Sequence, residues 1–97
     1  MRPYKQTDLG GNQYIREFDS NVDIHELEWH LDKEDRLIEV VENVGGWEVQ
    51  LDNNLPCLIE QPIFIPKETY HRVIKGSGKL VVKITKIYES TTPRLKP

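Results

Sequence analysis

Turn-forming residues recur at short intervals through the middle of this chain, and they leave room mainly for short segments of regular structure. The turn signals are Gly45-Gly46, Asp52-Asn53-Asn54, Pro56, Pro62, Pro66 and Gly76-Ser77-Gly78. The runs between them suit β-strands, and many short strands separated by frequent turns are typical of a sandwich or a barrel.

The runs between these turns also have the periodicity of strands. Residues 47–51 alternate apolar and polar side chains, Ile63–Ile65 is a short apolar run ended by Pro66, and residues 80–85 are rich in β-branched side chains. Residues 76–78 separate two such runs and predict a β-hairpin. We therefore expect an all-β fold, and a length of 97 residues argues for one domain.

The two ends of the chain differ from the middle in composition. Residues 1–21 are mainly polar and predict an extended arm with one short strand near Gln13–Phe18. Residues 89–97 are rich in Ser, Thr and Pro, and we expect a flexible tail there. The barrel itself should span residues 22–88.

Residues 23–43 also fit a helix, and periodicity alone leaves that alternative open. Residues 23–26 resemble a capping box. The apolar residues at helical spacings are Ile24, Leu27, Leu31, Ile38 and Val41. Against a helix, residues 36–41 are rich in branched side chains and the apolar stripe breaks at Glu34. A helix here would make the protein an α+β interaction domain.

Charge, cysteine content and hydropathy exclude several classes of protein. The net charge of −3 and a pI near 5.6 argue against nucleic-acid binding, which favours a basic surface. The single cysteine, Cys57, allows no internal disulfide and is interpreted as a small core residue. Because no apolar run is long enough to span a membrane or to resemble a signal segment, we expect a cytoplasmic protein without a membrane partner.

The three histidines, His25, His30 and His71, are the residues most suited to holding a metal ion. Residues 25–30 read His-Glu-Leu-Glu-Trp-His, close to the helical motif of zinc proteases, in which two histidines four residues apart share one ion. Here the two histidines lie five residues apart, about 140° around a helix, so they cannot bind one ion together. The segment does not predict a metalloprotease.

His30 and His71 each lie in a segment that resembles a cupin motif. Residues 30–43 resemble the first motif, in which two histidines with one residue between them precede a glutamate, a hydrophobic strand and a glycine turn. Residues 63–71 resemble the second, in which a strand ends in proline and a histidine follows five residues later. The resemblance covers roughly residues 24–87 and implies a small single-domain cupin-type β-barrel, a double-stranded β-helix or jelly roll.

The resemblance implies a metal site whose ligand set is altered. His30 matches the first metal-ligating histidine, His71 matches the last, and Asp32 occupies the position of the second histidine. A carboxylate oxygen there favours harder divalent ions. The position of the metal-ligating glutamate holds Arg36, which has no lone pair to donate. Glu68 stands where the second motif usually has glycine.

Strand parity adds candidates around the two histidines. If residues 27–30 are extended, Glu28 lies on the same face as His30, whereas Leu27 and Trp29 face outward. Glu28 and Tyr70, the neighbour of the second-motif histidine, are therefore candidate ligand-binding residues. Apolar side chains of Leu27 and Trp29 on the outer face would form an exposed patch. A second copy of the chain could cover this patch, so we expect a homodimer.

Two functions from different classes stay open. The first is a small cupin that binds a divalent metal ion, an anionic small molecule, or both, inside its barrel; the resemblance implies isomerase, epimerase or dioxygenase-type chemistry. The second is a non-catalytic binding or structural module with a decayed metal site. Arg36 itself either forms an ion pair with Asp32 or Asp35, or binds the anion as a further ligand-binding residue.

Overall fold

The computed structural model describes residues 4–21 and 27–88, which form eight β-strands joined by turns and loops. The strands are β1 (Lys5–Gly10), β2 (Gln13–Phe18), β3 (Asp35–Asn43), β4 (Glu48–Leu51), β5 (Cys57–Leu58), β6 (Ile63–Ile65), β7 (His71–Ile74) and β8 (Leu80–Ile87). In this part of the chain there is no α-helix, and hence none that could cross a membrane. The all-β class predicted from the turn pattern is confirmed.

The strands form two antiparallel sheets that share one core. The larger sheet has the order β1-β2-β8-β3-β6, and the smaller has the order β5-β4-β7. Because side chains alternate along a strand, Leu80, Val82 and Ile84 of β8 point to one face of the larger sheet. There they join residues of β2 and of the smaller sheet in a cluster of Tyr14, Phe18, Leu27, Trp47, Val49, Ile59, Leu80, Val82 and Ile84.

The N-terminal segment is part of the larger sheet. The strand predicted near Gln13–Phe18 is β2, and it pairs with β8 along its whole length. The structure differs from the prediction for residues 1–21 by a second strand, β1, which pairs with the other side of β2. The capping box at 23–26 and the tail at 89–97 lie outside the described residues, and β3 replaces the second half of the helical alternative.

Glycines let the chain cross between the two sheets at adjacent points. Gly45 lies between β3 of the larger sheet and β4 of the smaller, and residues 76–78 lead from β7 back to β8. The amide of Ser77 donates to the carbonyl oxygen of Gly45 at 3.0 Å, and a Cβ at Gly76 would lie 2.6 Å from that oxygen. The hairpin predicted at 76–78 is therefore wrong. β7 pairs with β4, whereas β8 pairs with β2 and β3, so residues 76–78 connect two sheets. The glycines lie where this connection passes close to the connection between β3 and β4.

Two burial predictions are also wrong. Leu27 is buried, with 7% of its surface exposed, because residues 27–29 are not a strand and strand parity does not apply to them. Trp29 is partly exposed, as expected. Cys57 is exposed, because β5 is a two-residue strand at the edge of the smaller sheet.

Glu68 has a backbone conformation that favours glycine. Its φ is +59°, and it lies in the turn between β6 and β7 where the cupin motif usually has glycine. A side chain in the left-handed region costs about 1–2 kcal/mol, which the greater freedom of glycine in the unfolded chain partly offsets. We expect Glu68→Gly to raise the free energy of unfolding by about 0.5–1 kcal/mol in urea denaturation. Lys67→Gly, at a neighbour without positive φ, should lower it; a decrease in both variants would contradict this account.

Candidate metal centre

A pair of backbone hydrogen bonds places His30 opposite His71. The amide of His30 donates to the carbonyl oxygen of His71 at 3.0 Å. In return, the amide of His71 donates to the carbonyl oxygen of His30 at 2.9 Å. Directly opposed residues of an antiparallel pair project their side chains to the same face. The two imidazole rings are therefore close, with centroids 4.4 Å apart and planes at 61°.

A backbone carbonyl two residues earlier orients each imidazole. Nδ1 of His30 lies 2.9 Å from the carbonyl oxygen of Glu28, and Nδ1 of His71 lies 2.8 Å from that of Thr69. A carbonyl oxygen only accepts, so Nδ1 carries the proton and donates it in both rings. The lone pair of each neutral imidazole is then on Nε2. This arrangement is typical of metal-ligating histidines, whose second nitrogen donates to a carbonyl or a carboxylate.

Two hydrogen bonds hold the loop that carries Asp32 against the turn that precedes β7. The amide of Glu68 donates to the carbonyl oxygen of Asp32 at 2.7 Å, and the amide of Lys67 donates to Oδ1 of Asp35 at 2.8 Å. These contacts bring the Asp32 side chain beside His71 at the start of β7. The carboxylate oxygen Oδ2 of Asp32 lies 3.3 Å from Nε2 of His71.

The buried carboxylate oxygen of Asp32 fits a metal ligand. Within the described chain, Oδ2 of Asp32 has no hydrogen-bond partner when His71 is neutral, because Nε2 then presents a lone pair toward it. Two ligand atoms that are each about 2.1 Å from one ion lie about 3.0–3.4 Å apart, and the separation of 3.3 Å falls in that range. The ligand atoms of His30, Asp32 and His71 all lie within 4.8 Å of one another. The three residues therefore suit a divalent cation.

The charge state of Asp32 also suits this use. Burial alone would raise the pKa of its carboxyl group, but a hydrogen bond from His71 in its protonated form and the positive charge of Arg36 outweigh burial, and the net pKa is lowered. Asp32 is consequently ionised at neutral pH, as a metal-ligating carboxylate must be.

Arg36 forms ion pairs at the start of β3. Its Nη2 lies 3.3 Å from Oδ1 of Asp32, one of the two partners considered from the sequence, and its Nε lies 2.7 Å from Oε2 of Glu34. The other partner considered, Asp35, accepts the backbone hydrogen bond from Lys67 instead. Arg36 thus pairs with Oδ1 of Asp32, whereas Oδ2 faces His71.

A cavity of about 520 Å³ adjoins these residues. Its lining includes the three candidate ligands together with Arg36 and Glu28. The apolar part of the lining includes Phe18, Ile38, Leu80 and Val82. A volume of several hundred cubic ångströms and a mainly apolar wall with a few polar groups are typical of small-molecule sites.

The two further ligand-binding candidates differ in position. Glu28 is exposed but lines the cavity, and its carbonyl oxygen orients His30. Tyr70 is 51% exposed and is not part of the cavity lining. The predicted role of Tyr70 therefore lacks a contact with the cavity that would support it.

Arg16 lines the cavity and was not predicted as a site residue. It lies on β2 between Tyr14 and Phe18, which are both buried in the core. Residues two apart on a strand share one face, so a charged residue between two buried aromatic residues at this spacing is directed to the core side. That pattern was present in the sequence of β2.

Comparisons with known proteins give matches only among solved structures; no protein-family model and no curated protein matches the chain. A cupin domain from Bordetella pertussis is 15% identical, with a TM-score of 0.58 over 90% of this chain and 97% of that one. The DMSP lyase DddQ from Ruegeria pomeroyi is 11% identical, with a TM-score of 0.66 over 82% of this chain and 39% of that one.

A third solved structure, the Fe(II) form of HppE, is 11% identical with a TM-score of 0.59. It aligns with 77% of this chain, and the aligned part is 41% of HppE. The chain thus spans less than half the length of HppE and of the DMSP lyase. These likenesses concern the fold, and with the two antiparallel sheets they show that this chain has the cupin fold.

Proposed function

We propose that this protein binds a divalent transition metal ion through His30, Asp32 and His71, and a small molecule beside the ion in the cavity. The observation that carries the proposal is the buried oxygen Oδ2 of Asp32, which faces Nε2 of His71 without a hydrogen-bond partner in the described chain. A cation between these atoms would compensate both lone pairs.

The donor set supports a transition metal. Two histidines and one carboxylate, with the remaining positions open, form the ligand set of non-haem Fe(II) sites. The structural likeness to an Fe(II) form of HppE is consistent with including Fe(II) among the ions. A bound divalent ion would supply Lewis-acid chemistry to an oxygen of the small molecule.

The residues of the chain have separate tasks in this proposal. The carbonyl oxygens of Glu28 and Thr69 hold the two imidazoles with Nε2 free. Arg36 pairs with one oxygen of Asp32, and its positive charge helps to lower the pKa of that carboxyl group. The apolar wall of the cavity would cover the apolar part of the bound molecule.

Thermal melting tests the proposal. Metal-free protein should melt about 10 °C or more higher when Mn, Fe, Co, Ni or Zn is present at 100 times its dissociation constant, because only the folded chain assembles the three ligands. The Fe(II) samples are kept anaerobic. Unchanged melting with every one of these ions would contradict the proposal.

A non-catalytic binding module is the second candidate. Arg36 favours it, because it occupies the position of the glutamate that completes the cupin ligand set, and an arginine cannot bind a cation. A protein of this kind would keep the cavity and show no melting response to metal ions. The homodimer and the cytoplasmic location stay predictions.

A further inference from the structure

Arg16 is an arginine of the cavity lining whose partners among the described residues are all neutral. Its Nε and Nη2 donate to Oε1 of Gln6 at 3.1 and 3.0 Å, and Nη2 also donates to the hydroxyl of Tyr14 at 3.4 Å. The guanidinium carbon lies 4.0 Å from the ring centroid of Tyr4 and 5.0 Å from that of Tyr14. None of the described carboxylates forms an ion pair with Arg16.

The surroundings of Arg16 disfavour an uncompensated positive charge. Burial lowers the pKa of its guanidinium and the positive charge of Arg36 adds to that effect, whereas Tyr14, Tyr4 and the more distant Asp32 oppose it. A partly buried cation that has lost water gains most from a counter-ion. Arg36 in the same cavity already has two counter-ions, Asp32 and Glu34, whereas Arg16 has no counter-ion among the described residues.

The charges that line the cavity leave Arg16 as the available cation. The lining contains two arginines, Arg16 and Arg36, and two carboxylates, Glu28 and Asp32. Asp32 is paired with Arg36 and faces His71, and Glu28 is exposed. A divalent ion at the candidate site would add two further positive charges. The cavity should therefore attract an anion to the Arg16 side.

The ligand class follows from a cation that has no counter-ion in the described parts of the chain and that lies beside an apolar wall. We infer that the cavity binds a small organic carboxylate, with its charged group on the guanidinium of Arg16 and its apolar body against side chains such as Phe18, Ile38 and Val82. An arginine hydrogen-bonds a carboxylate strongly. One guanidinium matches the single charge of a carboxylate better than the nearly double charge of a phosphate monoester.

This inference deepens the proposed function by naming the ligand class, and it rests on that function only for the charge that the metal adds. It is tested in metal-free protein, so that failure of the metal site does not affect the result. Hexanoate is the probe, titrated into ¹⁵N-labelled protein and followed by amide chemical shifts. Hexanoate should bind the wild type and bind Arg16→Gln at least about tenfold more weakly, because a charged hydrogen bond is lost.

Two comparisons separate charge recognition from general effects. Hexanamide has a closely similar apolar body without the charge, and it should bind the wild type at least about tenfold more weakly than hexanoate. Arg16→Lys keeps the charge and loses the planar fork, so its affinity for hexanoate should lie between those of the wild type and Arg16→Gln.

Arg72 provides a matched control. Its Nε and Nη2 donate to Oε1 of Gln50 at 3.0 and 2.9 Å, and its guanidinium lies 4.9 Å from the ring of Trp29, yet Arg72 is outside the cavity lining. Arg72→Gln should bind hexanoate like the wild type. Equal hexanoate binding by Arg16→Gln and wild type, or equal binding of hexanoate and hexanamide, would overturn the inference. Arg16→Gln should still bind Co(II), because Arg16 is not one of the three metal ligands.

Discussion

His71→Ala should lower the affinity of the metal-free protein for Co(II) by at least about 100-fold, since loss of a direct ligand exceeds the 10–100-fold cost of losing an outer contact. Isothermal titration calorimetry should show one ion per chain for the wild type. The effect is expected because Nε2 of His71 faces the unpartnered oxygen of Asp32 at 3.3 Å, so its removal breaks the best-formed pair of the site.

Two further variants keep this result interpretable. His71 is 5% exposed, so its replacement can also disturb packing, whereas His30 is exposed. His30→Ala should therefore lose Co(II) affinity without a comparable loss of stability. Asp32→Asn removes the ligand charge at nearly constant size, and Glu39→Gln makes the same change at a residue of β3 outside the cavity lining. Wild-type affinity in His30→Ala and Asp32→Asn would show that the ion binds elsewhere.

Trp47→Ala should lower the free energy of unfolding by about 3–5 kcal/mol, a large part of the stability of a small domain. Trp47 has no exposed surface, and its ring centroid lies 5.7 Å from that of Phe18 across the core. Its Nε1 donates to the carbonyl oxygen of Gly78 at 2.9 Å. The side chain therefore joins the core to the segment where the chain crosses between sheets.

Urea denaturation of Trp47→Ala against Trp29→Ala measures this effect. Trp29 is 42% exposed and lies 4.9 Å from the guanidinium of Arg72, so its replacement should cost less than about 1.5 kcal/mol. Losses of equal size in the two variants would mean that Trp47 does not anchor the core.

The strand segments could be predicted from the sequence, because turn residues and two-residue periodicity are local signals. Gln13–Phe18 and Ile63–Ile65 are strands with the predicted bounds. The assignment of strands to sheets could not be predicted in the same way. Residues 76–78 have the composition of a hairpin turn, but what requires glycine there is contact with Gly45 and Trp47, which are distant in sequence.

The candidate site was predictable where it depends on motif spacing. The resemblance of residues 63–71 to a cupin motif paired His71 with His30, and the structure brings the two rings together. The alternation of side chains along a strand predicted an outward Leu27, and this was wrong because the chain before His30 is not a strand. The second partner of Arg36, Glu34, depends on loop geometry, which periodicity does not describe. The position of Arg16 in the cavity depends on how β2 packs.

Pulsed electron paramagnetic resonance of the Cu(II)-loaded protein tests the central claim most directly. Cu(II) binds imidazole nitrogen. The second, non-coordinated nitrogen of each bound ring modulates the signal, so the number of bound imidazoles can be obtained from the spectrum. The arrangement of His30, Asp32 and His71 predicts one Cu(II) per chain coupled to two imidazoles, and one imidazole in His30→Ala. A spectrum without imidazole coupling, or one that His30→Ala leaves unchanged, would contradict the account.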